Sequence, residues 1–203
     1  MKKILCLLTG ILMLGACASV SVRPCGENLA RPYFFEQGEK LAAFRMILSM
    51  GEQEIEGILQ IKKTAEETYE VTMFSTAGAY RFLQATLTRE GANYNFLVPG
   101  ADHSAVRVKV ERFLGLLLFP SQTMGSCKTK SQRVRVNYKH APMTYTYNIG
   151  KIYPDELTGP KSFGHVHLRF EDYQPYEDGQ LPHKLYYEDG RIRADLVLLR
   201  IKK

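Results

Sequence analysis

Over residues 54–63, Ile55, Leu59 and Ile61 alternate with Glu54, Glu56, Gln60 and Lys62. Successive side chains of an extended strand point to opposite faces, so a period of two marks a strand with one dry and one wet face. Comparable segments recur along the chain with only turn residues between them. That succession leaves little room for βαβ crossovers, which need a dozen or more residues, and restricts the chain to an antiparallel sheet. Residues 44–50 reach the first segment through Gly51-Glu52-Gln53, which suits a hairpin. Residues 69–75 are rich in β-formers, Thr76-Ala77-Gly78 turns the chain, and residues 80–88 return. Glu90-Gly91-Ala92 then leads into residues 94–98, which stop at Pro99-Gly100. The expectation is a meander of about five strands.

Residues 101–119 admit two periods. Val106, Val110, Phe113, Leu114 and Leu117 fit a helix, whereas Val106, Val108 and Val110 alternating with Arg107 and Lys109 fit a strand. A helix is favoured, ending near Gly115 or before Pro120. Residues 121–132 read as a polar connector. Val134, Val136 and Tyr138 alternate with Arg133 and Arg135, and residues 143–149 continue the pattern beyond Pro142. Residues 163–170, 184–188 and 192–201 complete the sheet, the last two joined by Asp189-Gly190, a strong hairpin signal. A short helical turn is expected over residues 36–41.

The N-terminus has another character. Met1-Lys2-Lys3 precedes an apolar run over residues 4–13, followed by Leu14-Gly15-Ala16-Cys17. A basic start, a short apolar stretch and small residues make a secretory signal, and the stretch falls well short of the roughly 20 residues that span a bilayer. The cysteine after the small residues resembles the bacterial lipoprotein signal. That resemblance implies that Cys17 is acylated and becomes the first residue of the mature chain. Ala18, where an Asp would signal inner-membrane retention in enterobacteria, resembles an outer-membrane sorting signal. The organisation expected is a signal over 1–16, a lipidated tether over 17–32 carrying Pro24, Gly26, Asn28 and Pro32, and one domain over 33–203.

The formal net charge is +6, and Lys2 and Lys3 leave with the signal. An exported protein does not meet nucleic acid, so lipid head groups or lipopolysaccharide are the acidic partners to consider, alongside a charge that serves solubility alone. Of four cysteines, Cys6 leaves with the signal and Cys17 is taken by acylation. Cys25 and Cys127 remain in an oxidising compartment, where they can pair or persist as two thiols.

Little in the chain carries catalytic chemistry. Nucleophile elbow, phosphate loop, CxxC and HExxH are all absent. Asp102-His103-Ser104 holds triad residue types, but adjacent residues do not give triad geometry, and the segment reads as a turn. His165 and His167 share a strand face without an evident third ligand. Asp155-Glu156, Glu171-Asp172 and Glu177-Asp178 read as solvated loop charges. No cofactor, metal or enzymatic activity is expected. Lys128, Lys130, Arg133 and Arg135 lie in a segment without an acid. They form either a head-group patch or the charged rim that keeps an edge strand unpaired.

The LolA/LolB superfamily of lipoprotein carriers resembles this chain over residues 44–203. The matching stretches are Gly57-Ile58-Leu59-Gln60-Ile61-Lys62-Lys63, Tyr69-Glu70-Val71-Thr72-Met73-Phe74-Ser75 before Gly78, and Phe113-Leu114-Gly115-Leu116-Leu117-Leu118-Phe119-Pro120. Phe170-Glu171-Asp172-Tyr173, Leu181-Pro182 and two closing strands complete them. The resemblance implies a mainly β, α+β fold: a half-open antiparallel β-barrel curled around a few helices, with an apolar cavity for acyl chains such as palmitate. On the dry faces of the early strands, Met46, Leu48, Leu59, Ile61, Val71, Met73, Phe82 and Phe96 are the expected lining. The implied partners are membrane lipid, an acylated protein or a periplasmic carrier, at the outer membrane with the domain facing the periplasm. The exposed leucine loop of the LolB type has no counterpart in Thr76-Ala77-Gly78. A non-catalytic envelope accessory protein that holds a partner with the same fold is the alternative.

Overall fold

The structure, a computed structural model, describes residues 29–30, 33–35, 38–119, 124–130, 133–138, 143–159 and 166–203. The signal over 1–16, Cys17, Cys25, Pro120 and His165 lie outside the described residues, as does all of the tether but Leu29 and Ala30.

Twelve described strands form one sheet in which every neighbouring pair is antiparallel. The first five, β1 (Leu41–Met50), β2 (Gln53–Ala65), β3 (Thr68–Ser75), β4 (Arg81–Thr88) and β5 (Gly91–Leu97), make the expected meander. After helix α1 (Ser104–Leu118) come β6 (Met124–Lys130), β7 (Arg133–Tyr138), β8 (Thr144–Asn148) and β9 (Glu156–Thr158). The chain ends with β10 (Val166–Tyr176), β11 (Gly179–Asp189) and β12 (Ile192–Lys202). The spatial order is β5-β4-β3-β2-β1-β12-β11-β10-β9-β8-β7-β6. First and last strands therefore meet at the centre, from Leu41 opposite Lys202 to Met50 opposite Ile192. Among the described strands the sheet ends at β5 and β6, and α1 lies between them in the chain. The sheet curls around this helix without closing, as expected of a half-open barrel.

Alternation places the interior. Phe44, Met46, Leu59, Ile61, Tyr69, Val71, Met73, Leu83, Leu185, Tyr187 and Leu196 are all buried on the concave face. Their sequence neighbours point to the convex face, where Arg45 pairs with Glu56 at 2.6 Å across β1 and β2. Gly57 belongs to the concave set, and there the walls are tight: a Cβ would stand 2.6 Å from the Phe74 carbonyl oxygen.

Four expectations are corrected. Residues 36–41 do not make a helical turn in their described part. Lys40 donates its N–H to the Lys202 carbonyl and accepts from Lys63 N–H, so the chain already runs between two strands there, and Leu41 opens β1. Residues 121–132 are not simply a connector. Met124–Lys130 is edge strand β6, whose few β-formers are compensated by its ladder to β7. Glu156 belongs to the three-residue strand β9 and lies 2.5 Å from His167 Nδ1, so it is not a loop charge. Glu171 and Asp172 lie within β10, where Asp172 takes φ +55° and is left out of the ladder with His183. The register is the same on both sides of it, from Val166 opposite Asp189 to Tyr176 opposite Gly179, so β10 and β11 run well past the short strands expected. Glu177 and Asp178 do form the turn.

Candidate functional site

Helix α1 lies in the concavity. Its sequence sets apolar residues at positions 106, 110, 113, 114 and 117, one stripe of a 3.6-residue period. Phe113, Leu114, Leu116, Leu117 and Leu118 are buried. The helix begins after extended His103, which supplies no side-chain cap, and no acid occupies its first turn. The Asp102-His103-Ser104 segment is this helix start, with Asp102 paired to Arg107. The period-two reading of residues 106–110 fails because these residues lie within α1, where the 3.6-residue stripe and not the alternation faces the sheet.

The stripe packs through aromatic contacts: Phe113 on Tyr187 with centroids 4.9 Å apart, and Phe119, just past the helix, edge-on to Tyr69 at 5.5 Å. Polar ties hold its rim. Tyr94 donates its hydroxyl to the Arg107 carbonyl at 3.0 Å, and the Arg107 guanidinium lies over the Tyr94 ring. Lys109 and Arg112, one turn apart, both reach Asp189 at the β11–β12 hairpin. Lys109 Nζ donates to the Asp189 carbonyl at 2.9 Å and to Oδ1 at 3.2 Å, and Arg112 Nη1 lies 3.5 Å from Oδ2. The Asp189 side chain is 8% exposed and those of the cations 29% and 24%. Burial first, and the neighbouring Asp189 charge second, push the Tyr187 phenol well above the ordinary tyrosine range.

Between sheet and helix lies an apolar cavity of about 80 Å³. Met46, Leu48, Leu59, Met73 and Phe82 line it, and Val106, Val110 and Phe113 of α1 close it. Phe82 reaches it because the β3–β4 ladder skips a residue: Met73 pairs with Leu83 and Phe74 with Arg81. Ile61 and Val71 are fully buried on the same face but lie outside the lining. They lead toward the end filled by Tyr69, Phe35 and Phe119. Phe96 is a correction. It is 40% exposed, because β5 slips between Gln84 and Ala85 of β4, so Phe96 sits opposite convex-facing Gln84 and Leu97 takes the inner place. Leu97, Ala101, Ile192 and Ala194 are lining residues that the sequence reading missed. A larger, more polar cleft of about 690 Å³ opens at the other end, between Tyr33, Glu39, Lys63, Glu67, Arg89 and Tyr176.

Lys128, Lys130, Arg133 and Arg135 are brought together. They occupy the convex face of β6 and β7, with Lys128 opposite Arg135 and Lys130 opposite Arg133. All four are exposed. Cys127, buried between them on the concave side, is disulfide-bonded, and its partner lies outside the described residues. Among the described residues no group of three or more His, Cys, Asp or Glu side chains could hold a metal ion, and no helix is long and apolar enough to cross a membrane.

No family model matches the chain, and no curated protein matches it in sequence. Among solved structures, the fold is similar to that of a LolA superfamily protein from Nitrosomonas europaea, at 12% identity over 83% of this chain and 87% of that chain, with a TM-score of 0.50. A Vibrio parahaemolyticus domain described as an outer membrane lipoprotein-sorting protein matches at 9% identity, over 81% and 85% of the two chains, with a TM-score of 0.43. A DUF1329 family protein from Desulfovibrio piger matches at 7% identity, over 81% and 85%, with a TM-score of 0.45. The half-barrel on its helix is thus a LolA/LolB-like fold.

Proposed function

We propose that this chain is a lipid-anchored envelope protein, held at the outer membrane through acylated Cys17, whose helix-covered cavity takes acyl chains of lipids or acylated proteins. The observation that carries the reading is the cavity itself. Its wall is apolar, and the only charged group among its described lining residues, Lys109, is turned to Asp189. At about 80 Å³ it is far below the 300–1,000 Å³ of a typical ligand pocket. An acyl chain therefore enters only as α1 moves off the sheet. Each CH2 that enters contributes about 0.8 kcal/mol, enough for several methylenes to offset the loss of the rim contacts. The role is non-catalytic, and a periplasmic carrier that hands over acylated cargo is the partner it suits.

The same small volume favours a second reading, in which the interior is simply filled and the fold holds a protein partner. Binding of a dansyl fatty acid by a chain lacking residues 1–17 separates the two. We expect binding by the parent and its loss in Ala194→Leu, which adds three carbons to the cavity wall, with the melting temperature retained. A parent chain that binds no fatty acid overturns the acyl-chain reading and leaves the second. The anchor is tested by Cys17→Ser, which is expected to release the protein from membranes or block its processing. Full retention in the membrane fraction after unchanged cleavage would refute it.

A further inference from the structure

We infer that the convex face of β6 and β7 is a docking surface for the phosphate groups of an anionic lipid membrane. The inference rests on the lipid-anchored reading and adds to it a second, electrostatic contact that fixes how the domain sits. Register places the four cations in two like-charge pairs, Lys128 across from Arg135 and Lys130 across from Arg133. Like charges directly opposite on neighbouring strands destabilise a sheet. Among the described residues none of the four forms an ion pair with a carboxylate. The next strand offers no relief, since Arg133 faces Asn148 and Arg135 faces Thr146. Beyond it Glu156, opposite Thr146, is engaged with His167. Protection of a sheet edge requires charge, but it does not require one sign: the convex face elsewhere mixes both, as in Arg45–Glu56 and Lys62–Glu70. A field of four uncompensated cations is what an array of phosphates complements.

The position of the patch selects a membrane as the source of those phosphates. Cys127 lies in the same strand, next to Lys128, and its disulfide ties that strand to another part of the chain. With Cys6 removed and Cys17 acylated, Cys25 is the partner that remains. Cys25 lies eight positions after Cys17, a reach of about 28 Å at full extension. The strand that carries the patch is then leashed beside the acyl anchor. Each Lys or Arg near an anionic leaflet contributes about 1 kcal/mol, or about fivefold in population, within a Debye length of about 8 Å.

The test uses the full lipidated chain, purified from membranes and transferred to vesicles of phosphatidylcholine alone or with phosphatidylglycerol. Flotation reports attachment, and acetylation of Lys128 and Lys130, read by mass spectrometry, reports docking. We expect flotation with both vesicles and protection of the two lysines only with phosphatidylglycerol, reversed by 0.5 M salt, an ionic strength at which screening is strong. The double variant Arg133→Gln/Arg135→Gln keeps both reporter lysines and should lower their protection about 30-fold, at about fivefold per charge, with an unchanged melting temperature. Flotation with both vesicles but equal labelling on both overturns the patch and leaves the anchor standing. Flotation with phosphatidylglycerol alone supports the patch and refutes the anchor. Flotation with neither overturns both. Protection by soluble polyglutamate but not by phosphatidylglycerol assigns the patch to an acidic protein and overturns the membrane assignment.

Discussion

Replacing Asp189 by Asn should loosen α1 while leaving the sheet intact. The substitution keeps the shape and turn preference needed before Gly190, which sits at φ +64° in the β11–β12 hairpin. It removes one negative charge from between Lys109, Arg112 and the Tyr187 hydroxyl. Breaking a fully buried pair costs about 3–5 kcal/mol and an exposed one about 0.2–1 kcal/mol. Here the carboxylate is buried, but both cations keep about a quarter of their side-chain surface in water and can turn outward. Lys109 also retains its bond to the residue-189 carbonyl. Between those limits we expect a loss of about 1.5 kcal/mol, falling on the helix–hairpin contact. Because 1.4 kcal/mol is tenfold, amides of α1 that exchange through local opening should exchange about ten times faster. Amides of β6, β7 and β8 should not change. Apparent fatty-acid affinity should rise in the same variant by up to about tenfold, since more of the population is open to ligand. Hydrogen exchange followed by mass spectrometry, beside dansyl fatty-acid titration, reads both. Unaltered exchange in α1, or a uniform rise over the whole sheet, would refute the latch.

Gly57→Ala should destabilise the fold by about 2 kcal/mol, because the new methyl meets the backbone oxygen of Phe74 and not a side chain that can turn away; chemical denaturation measures it, and a loss under about 0.5 kcal/mol would show that β3 yields. Alkali should unfold the protein cooperatively. Burial, ranked first for each, raises the phenols of Tyr69, Tyr94, Tyr173 and Tyr187 above their ordinary value near 10.0. Their stabilising contribution is complete below pH 10 and is lost as pH rises through the higher folded values, because the unfolded chain releases these protons first. Tyrosinate absorbance at 295 nm should then rise together with the loss of sheet signal; a smooth titration in a folded protein would contradict it.

Most strands were legible because burial on one face leaves a two-residue period, as in Ile55, Leu59 and Ile61, and because Asp189-Gly190 names its own turn. The slips in register were not legible. Phe96 and Leu97 are both apolar, and only the offset at Gln84/Ala85 decides which of them faces inward. Edge strand β6 was missed because Gly125, Ser126, Lys128 and Lys130 carry no strand propensity of their own and gain their conformation from β7. The cavity was half read. Positions 46, 48, 59 and 73 follow from alternation, whereas Ala194 and Ile192 join them only because the last strand pairs with the first. The role of Asp189 could have been suspected from the helix, where Lys109 and Arg112 stand a turn apart beside an apolar stripe and call for an anion. Its location, some eighty residues later, belongs to topology.

That pairing of β1 with β12 makes the molecule a ring of hairpins cut open at α1, and it has a consequence for how the chain is made. During synthesis the N-terminal meander emerges first, with one flank of β1 lacking its neighbour until the last dozen residues arrive. Closing that seam joins residues about 140 to 160 positions apart, a slow step whose loop-closure entropy is lost before its contacts form. The exposed flank of β1 is the natural point for a chaperone to guard, and a chain truncated before Ile192 would present it permanently. Joining the two ends and opening the chain between Val98 and His103 would turn the same contacts into a permutant in which every strand pairs with its neighbour in sequence.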